Sequence, residues 1–199
     1  MWNLVRGKQK EAMKIKILGI DPSLRNMGFA HAFVDIDTHE VEITHLALAD
    51  TASADKKTAK VVRKNSDDLC RAKILHEALI HHCQDRIFAF VEVPHGSQSA
   101  RAMASYGICV GVLAACPIPI IELTASEVKI AATGDKQAAK EEMIEWAMGL
   151  HPNANWLRRA GKPVLANEHL ADAIACIYAG LKTNQFTQAA AMFKRLQVA

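Results

Sequence analysis

The chain contains no C-x-x-C pair, and its five cysteines (Cys70, Cys83, Cys109, Cys116 and Cys176) are odd in number. That excludes a disulfide framework, and thiols in mostly apolar contexts read as buried and reduced in a cytoplasm. The nearest thing to a zinc site is "HEALIHHCQ", with His76, His81, His82 and Cys83. Spacings of five and six do not align ligands on one helix face, so these residues are expected to serve surface and packing roles. No run of about 18 apolar residues occurs, so no membrane span is expected. The basic N-terminus lacks a long apolar stretch ahead of a small-residue cleavage site, which excludes a signal peptide. Aromatics make up 6% of the chain. Few interleave with the lysines, so base stacking is not an evident mode of nucleic-acid binding. Internal repeats and low-complexity linkers are also missing.

What is present suits one domain with additions: 199 residues, half of them hydrophobic. Residues 1–13 read as an N-terminal extension, 14–184 as the domain and 185–199 as a C-terminal helix. The net charge of +3 permits nucleic-acid binding without arguing for it, so distribution decides. The cations cluster near the start, in a loop carrying Lys56, Lys57, Lys60, Arg63 and Lys64, and again at Arg158, Arg159 and Lys162.

Apolar patterning predicts strands at 15–20, 28–35, 40–48, 86–93 and in "IPIIEL". "DIDTH" joins the second and third as a hairpin turn. In "DPSLRNMG", Asn26 and Gly28 read as residues that tolerate unusual dihedrals. Residues 50–65 read as loop, followed by a helix from Ser66 or Asp67 to Gln84. Helices are also expected over 97–115, from a capping box "TASE" to about Gly134, from about Lys136 to Leu150, from Asn167 as cap to about Leu181, and over 186–197. "HPNANWLRRAGKPV" reads as loop. Three sequential strands followed by alternation predict an α/β fold with a mixed sheet and helices on both faces.

Two predicted strands end in carboxylates, Asp21 and Glu92. If those strands are adjacent and parallel, the carboxylates lie side by side. On the helix after Asn167, Glu168, His169 and Asp172 project from one side, and Leu170, Ala173, Ile174 and Ile177 from the other. Acids pressed together repel unless a divalent cation sits among them. Carboxylates with water and phosphate oxygens suit Mg²⁺ or Mn²⁺, and two such ions can support phosphodiester cleavage. Glu168, favoured in a helix's first turn by the dipole, stays outside this core set.

"GIDPSLRNMGFA", "FAFVEVP", "ELTASEVKIAATG" followed by "KQAAK", and "HLADAIA" resemble the four successive motifs of the RuvC family of Holliday junction resolvases. The likeness spans about residues 14–181. It implies the ribonuclease H-like fold with a five-stranded sheet, and a homodimer built on the glycine-containing helix after Glu92. By position it makes Asp21, Glu92, His169 and Asp172 the catalytic, metal-holding set, and Lys129 and Lys140 the basic residues near the scissile phosphate. The implied cofactor is Mg²⁺ or Mn²⁺, two ions per site, and the implied substrate is branched DNA, above all four-way junctions. Lys56, Lys57, Lys60, Arg63, Lys64 and Arg101 would contact DNA backbones. Ser23 stands where the family has glycine, and His95 where the bacterial enzymes have an aromatic. With the long basic loop, these departures point to a phage or mobile-element version in a bacterial cytoplasm. Three rival readings are a fork or flap nuclease, a junction binder without chemistry, and an actin- or sugar-kinase-like ATPase. The last would need a second glycine-rich phosphate loop, which this sequence does not have.

Overall fold

The structure is a computed structural model that describes residues 13–52 and 64–196. Strands β1 (Lys14–Pro22), β2 (Asn26–Asp35) and β3 (Val41–Asp50) form an antiparallel meander. After α1 (Lys64–Cys83), β4 (Ala89–Glu92) lies parallel to β1. After α2 (Ala100–Ala114), β5 (Ile120–Leu123) lies parallel to β4. The sheet order is β3-β2-β1-β4-β5, the mixed five-stranded sheet expected from sequence. Helices α3 (Ala125–Thr133), α4 (Lys140–Leu150), α5 (Asn167–Gly180) and α6 (Asn184–Leu196) complete the chain.

Side chains alternate across a strand, and this divides the core in two. Ile15 and Ile17 of β1 and Phe88 and Phe90 at β4 pack with α5 and with Phe186 of α6. Leu18 and Ile20, with Ala89 and Val91, pack on the other face against Leu75 and Leu79 of α1 and Val112 and Leu113 of α2. The same alternation sends Asp21 and Glu92 to the α5 face. Ile20 pairs with Val91, so the next residue of each strand places the two carboxylates side by side.

Several element ends differ from the sequence reading. The reading of 50–65 as loop falls mostly outside the described residues; where these resume, Lys64 already belongs to α1, ahead of the expected Ser66 or Asp67. Helix α4 starts at Lys140 rather than near Lys136: the Asp135 carboxylate accepts the Gln137 amide at 2.8 Å, and Glu142 reaches back to the Ala139 amide at 2.6 Å. Within 151–166 the chain forms a small hairpin, β6 (Arg158–Arg159) with β7 (Lys162–Pro163), turning through Ala160 and Gly161 at positive φ. Strands of two residues carry no readable period. Neither Asn26 nor Gly28 has positive φ. The "TASE" capping box is present as expected.

Asn167 does not cap α5. It is fully buried, and its amide group accepts from the Leu157 N–H and donates to the Leu157 C=O, both at 2.9 Å. Substituting Asn167→Ala strands both backbone groups and should cost about 2–4 kcal/mol in urea unfolding. An unchanged midpoint would show that water replaces the amide.

On the α1 face, Arg86 donates to Nδ1 of buried His31, and His31 Nε2 meets His82 Nδ1 at 2.9 Å. An arginine only donates, so His31 must keep a lone pair on Nδ1 and stay neutral. Burial, then the charges of Arg86 and the imidazoles of His82, His45 and His81, push His31 down to about 3, and burial with His81, His45 and Arg86 pushes His82 down to about 4. The unfolded histidines take protons near pH 6.5 while the folded ones do not, so this stabilisation is lost as pH falls from there toward 3. Melting curves between pH 7 and 4 should show a smaller loss in His31→Gln than in the wild type.

Candidate active site

Close approach of α5 to the sheet builds the site, and two glycines permit it. A Cβ on Gly19 would stand 2.0 Å from the Ala173 carbonyl oxygen, and one on Gly28 would stand 2.1 Å from that of His169. Gly28 pairs with Asp21 across β1 and β2, so the first turn of α5 lies directly over the strand pair that carries Asp21. Ser23 shapes the turn between these strands. Its hydroxyl accepts the Asn26 amide at 3.1 Å and donates to the Asn26 carbonyl at 2.5 Å. A glycine has no hydroxyl to do this.

His169 Nδ1 lies 2.7 Å from Asp21 Oδ2. Its Nε2 lies 3.3 Å from the Asn26 side-chain nitrogen and 3.5 Å from Glu168 Oε1. Lys140 closes the rim through an ion pair with Glu168 at 2.8 Å. Burial first, then the charge of Asp21, raises Glu92 to about 7, with Lys129 pulling against the rise. Burial and the charges of Asp21 and Glu92 push Asp172 up to about 8, with His169 opposing and Glu168 adding to the rise. For His169, burial favours the neutral ring. The hydrogen bond to Asp21 and the charges of Asp21, Glu168 and Asp172 outweigh it, and the pKa lies above the ordinary value.

Asp21, Glu92, His169 and Asp172 therefore form one electrostatically coupled group, drawn from β1, β4 and α5. Lys129 sits within electrostatic reach of Glu92, with its ammonium on the Ala138 carbonyl at 2.8 Å. Lys140 feels Glu168, Asp172 and Asp21, which raise its pKa. Arg101 lies apart, in a cleft of roughly 430 Å³ lined also by Ser23, Arg25, Arg71, Ser105 and Tyr106, and two 2.6 Å contacts bind it to Asp68. Lys64 opens α1, whereas Lys56, Lys57, Lys60 and Arg63 lie outside the described residues. Two members of the site escape the sequence reading. Glu168 reads there as a dipole-favoured first-turn residue, and Asn26 only as a turn former. The proximity of Glu168 to His169 is the one available signal.

Three clustered carboxylates, two held protonated near neutrality by burial and mutual repulsion, are hard oxygen donors that fit a divalent cation. Among the described residues, no group of three or more His, Cys, Asp or Glu side chains is arranged so that it could hold a metal ion. The bond from His169 occupies Asp21 Oδ2.

Comparison with known proteins follows the same line. No family model matches the chain. A crossover junction endodeoxyribonuclease RuvC from Methylobacillus flagellatus is 30% identical over 171 residues, covering 82% of this chain and 85% of that protein. The chain belongs to the RuvC family. Among solved structures, T. thermophilus RuvC in complex with a Holliday junction substrate aligns with a TM-score of 0.57 at 20% identity, over 83% of this chain and 92% of that one. A further Thermus thermophilus RuvC structure aligns with a TM-score of 0.57 at 19% identity, over 88% and 96%. The fold is accordingly the ribonuclease H-like fold of RuvC. Among the described residues no helix is long and apolar enough to cross a membrane.

Proposed function

We propose that this RuvC-family protein is a metal-dependent endodeoxyribonuclease that resolves four-way DNA junctions by paired phosphodiester cleavage. The observation that carries the reading is the placement of Asp21 and Glu92 at the ends of adjacent parallel strands, within electrostatic reach of Asp172, with His169 hydrogen-bonded to Asp21. These three carboxylates would hold Mg²⁺ or Mn²⁺, two ions per site, and the ions would neutralise the acids, acidify water and offset charge on the phosphate. Asp21 fixes the tautomer of neutral His169 through Nδ1, and Nε2, which here accepts from the Asn26 side-chain amide, would serve as a base for the attacking water once that bond opens. This arrangement favours a proton-accepting over a metal-holding role for His169. Lys140, beside Glu168, supports charge developing on the phosphate, and Lys129 tempers the charge at Glu92.

A junction offers two equivalent strands, so cleavage in pairs suits a two-fold dimer. The exposed face of α2 supports this. Met103 and Val110 are exposed there, and nothing lies within 4 Å of a Cβ built on Gly107 or Gly111. Lys56, Lys57, Lys60, Arg63, Lys64 and Arg101 engage DNA backbones, with Arg101 exchanging the Asp68 carboxylate for phosphate. The differences at Ser23 and His95 favour a phage or mobile-element gene acting in the bacterial cytoplasm.

End-labelled four-way, forked and duplex DNA, incubated with Mg²⁺, Mn²⁺ or EDTA, tests the assignment. Symmetric nicks confined to the four-way substrate, absent with EDTA and with Asp21→Asn, are expected. Equal cutting of forks and flaps would move the reading to a general branched-DNA nuclease. Tight junction binding with no nicking under either metal would leave a binding protein.

A further inference from the structure

Two thiols outside the proposed site meet on the opposite face of the sheet. Cys83 is the last residue of α1, and Cys116 follows α2 by two residues. Their sulfurs lie 3.5 Å apart. Each is fixed by local backbone bonding: the Arg86 amide donates to the Cys83 carbonyl at 3.2 Å, and the Cys116 amide donates to the Leu113 carbonyl at 2.9 Å. Cys83 is buried among the residues between α1, α2 and the sheet, whereas Cys116 is partly exposed. The pair thus has the asymmetry of an exchange site, with one reachable sulfur and one enclosed partner.

We propose that Cys83 and Cys116 form a reversible disulfide by exchange with glutathione disulfide. The Cys116 thiolate attacks one sulfur of glutathione disulfide and expels a glutathione thiolate, leaving a mixed disulfide on Cys116. Cys83 then loses its proton to the expelled thiolate and attacks the Cys116 sulfur, releasing the second glutathione. Two protein thiols are oxidised, and one glutathione disulfide is reduced to two thiols.

The electrostatics run in the same direction. The hydrogen bond from Cys83 outweighs burial, and the Ile118 amide assists, so the Cys116 thiol is lowered to about 7. Cys83 is raised by its bond to Cys116, by burial and by the charge of Cys116. The first and last of these causes disappear once the Cys116 sulfur is capped, which frees Cys83 for the second step. Of the other thiols, Cys109 is buried and raised to about 11, and Cys176 is fully buried and raised well above its ordinary value, while Cys70 is exposed on α1.

The full-length protein should be equilibrated in glutathione buffers of increasing oxidised fraction, trapped with maleimide and mapped by peptide mass spectrometry. Each oxidised chain should lose two of its five thiols together, with a peptide joining residues 83 and 116. Dithiothreitol should restore both. Cys83→Ser should stop at glutathione on Cys116, and Cys116→Ser should suppress the reaction by about tenfold or more. The oxidised protein should melt several degrees higher, because the bridge restricts the unfolded chain. Glutathione on Cys70 alone, a bridge to Cys109, or an unchanged thiol count in the wild type would overturn the proposal, whatever the variants do.

Discussion

Asp172→Asn should raise the melting temperature of the metal-free protein at pH 8 while reducing junction cleavage by about a thousandfold or more, equivalent to ~4 kcal/mol of barrier. The two effects share one cause. An unfolded aspartate ionises near 3.8, whereas folded Asp172 holds its proton up to about 8. Between those values the native state binds a proton that the unfolded chain has released. Stability therefore falls as pH rises through the window, and the loss is complete above it. Glu92 adds a smaller loss between 4.5 and about 7. Asparagine matches the protonated acid in shape and carries no charge, so at pH 8 it should recover on the order of 3 kcal/mol in EDTA. At pH 5 the wild-type carboxyl is already protonated and the advantage should shrink. Saturating Mg²⁺ should stabilise the wild type more than the variant, because the variant has lost a donor. An Asp172→Asn protein that melts below the wild type at pH 8, in EDTA, would remove the repulsion argument.

Substitution of the two packing glycines should be nearly as damaging by a different route. In Gly19→Ala the new methyl meets the Ala173 carbonyl oxygen at 2.0 Å and Ile177 Cγ1 at 2.9 Å; in Gly28→Ala it meets the His169 carbonyl oxygen at 2.1 Å. Backbone cannot swing aside as a side chain does, so α5 must lift from the sheet, at a cost of about 3 kcal/mol or more. Gly19 lies under the middle of α5, and its variant should be read chiefly in denaturant midpoint. Gly28 lies under the turn that carries His169, so its variant should lose more cleavage rate than its stability predicts. Gly149→Ala provides the contrast. Nothing lies within 4 Å of a Cβ built at that position, and alanine should stabilise α4 by up to about 1 kcal/mol. Wild-type-like stability in Gly19→Ala and Gly28→Ala would refute the close packing.

These glycines also mark the limit of what the sequence displays. The sheet is readable because β1, β2 and β4 are apolar runs of strand length, and because carboxylates at 21 and 92 interrupt them. The amphipathic pattern of α5 likewise exposes His169 and Asp172 on one side. Gly28 reads as a turn residue, since the backbone it accommodates comes from His169, far along the chain. Asn167 reads as a cap for a similar reason: its partner is the Leu157 backbone, which no local pattern reveals. Glu168 is passed over because its importance depends on Lys140 and His169 being its neighbours.

The clustered acids come from β1, β4 and α5 in chain order. During translation, Asp21 and Glu92 leave the ribosome well before His169 and Asp172. A nascent chain without α5 has an open sheet face and an incomplete set of acids, so it is expected to be inert toward DNA. The order of synthesis thus delays any nuclease activity until α5 has been made, and a product terminated ahead of α5 would carry none.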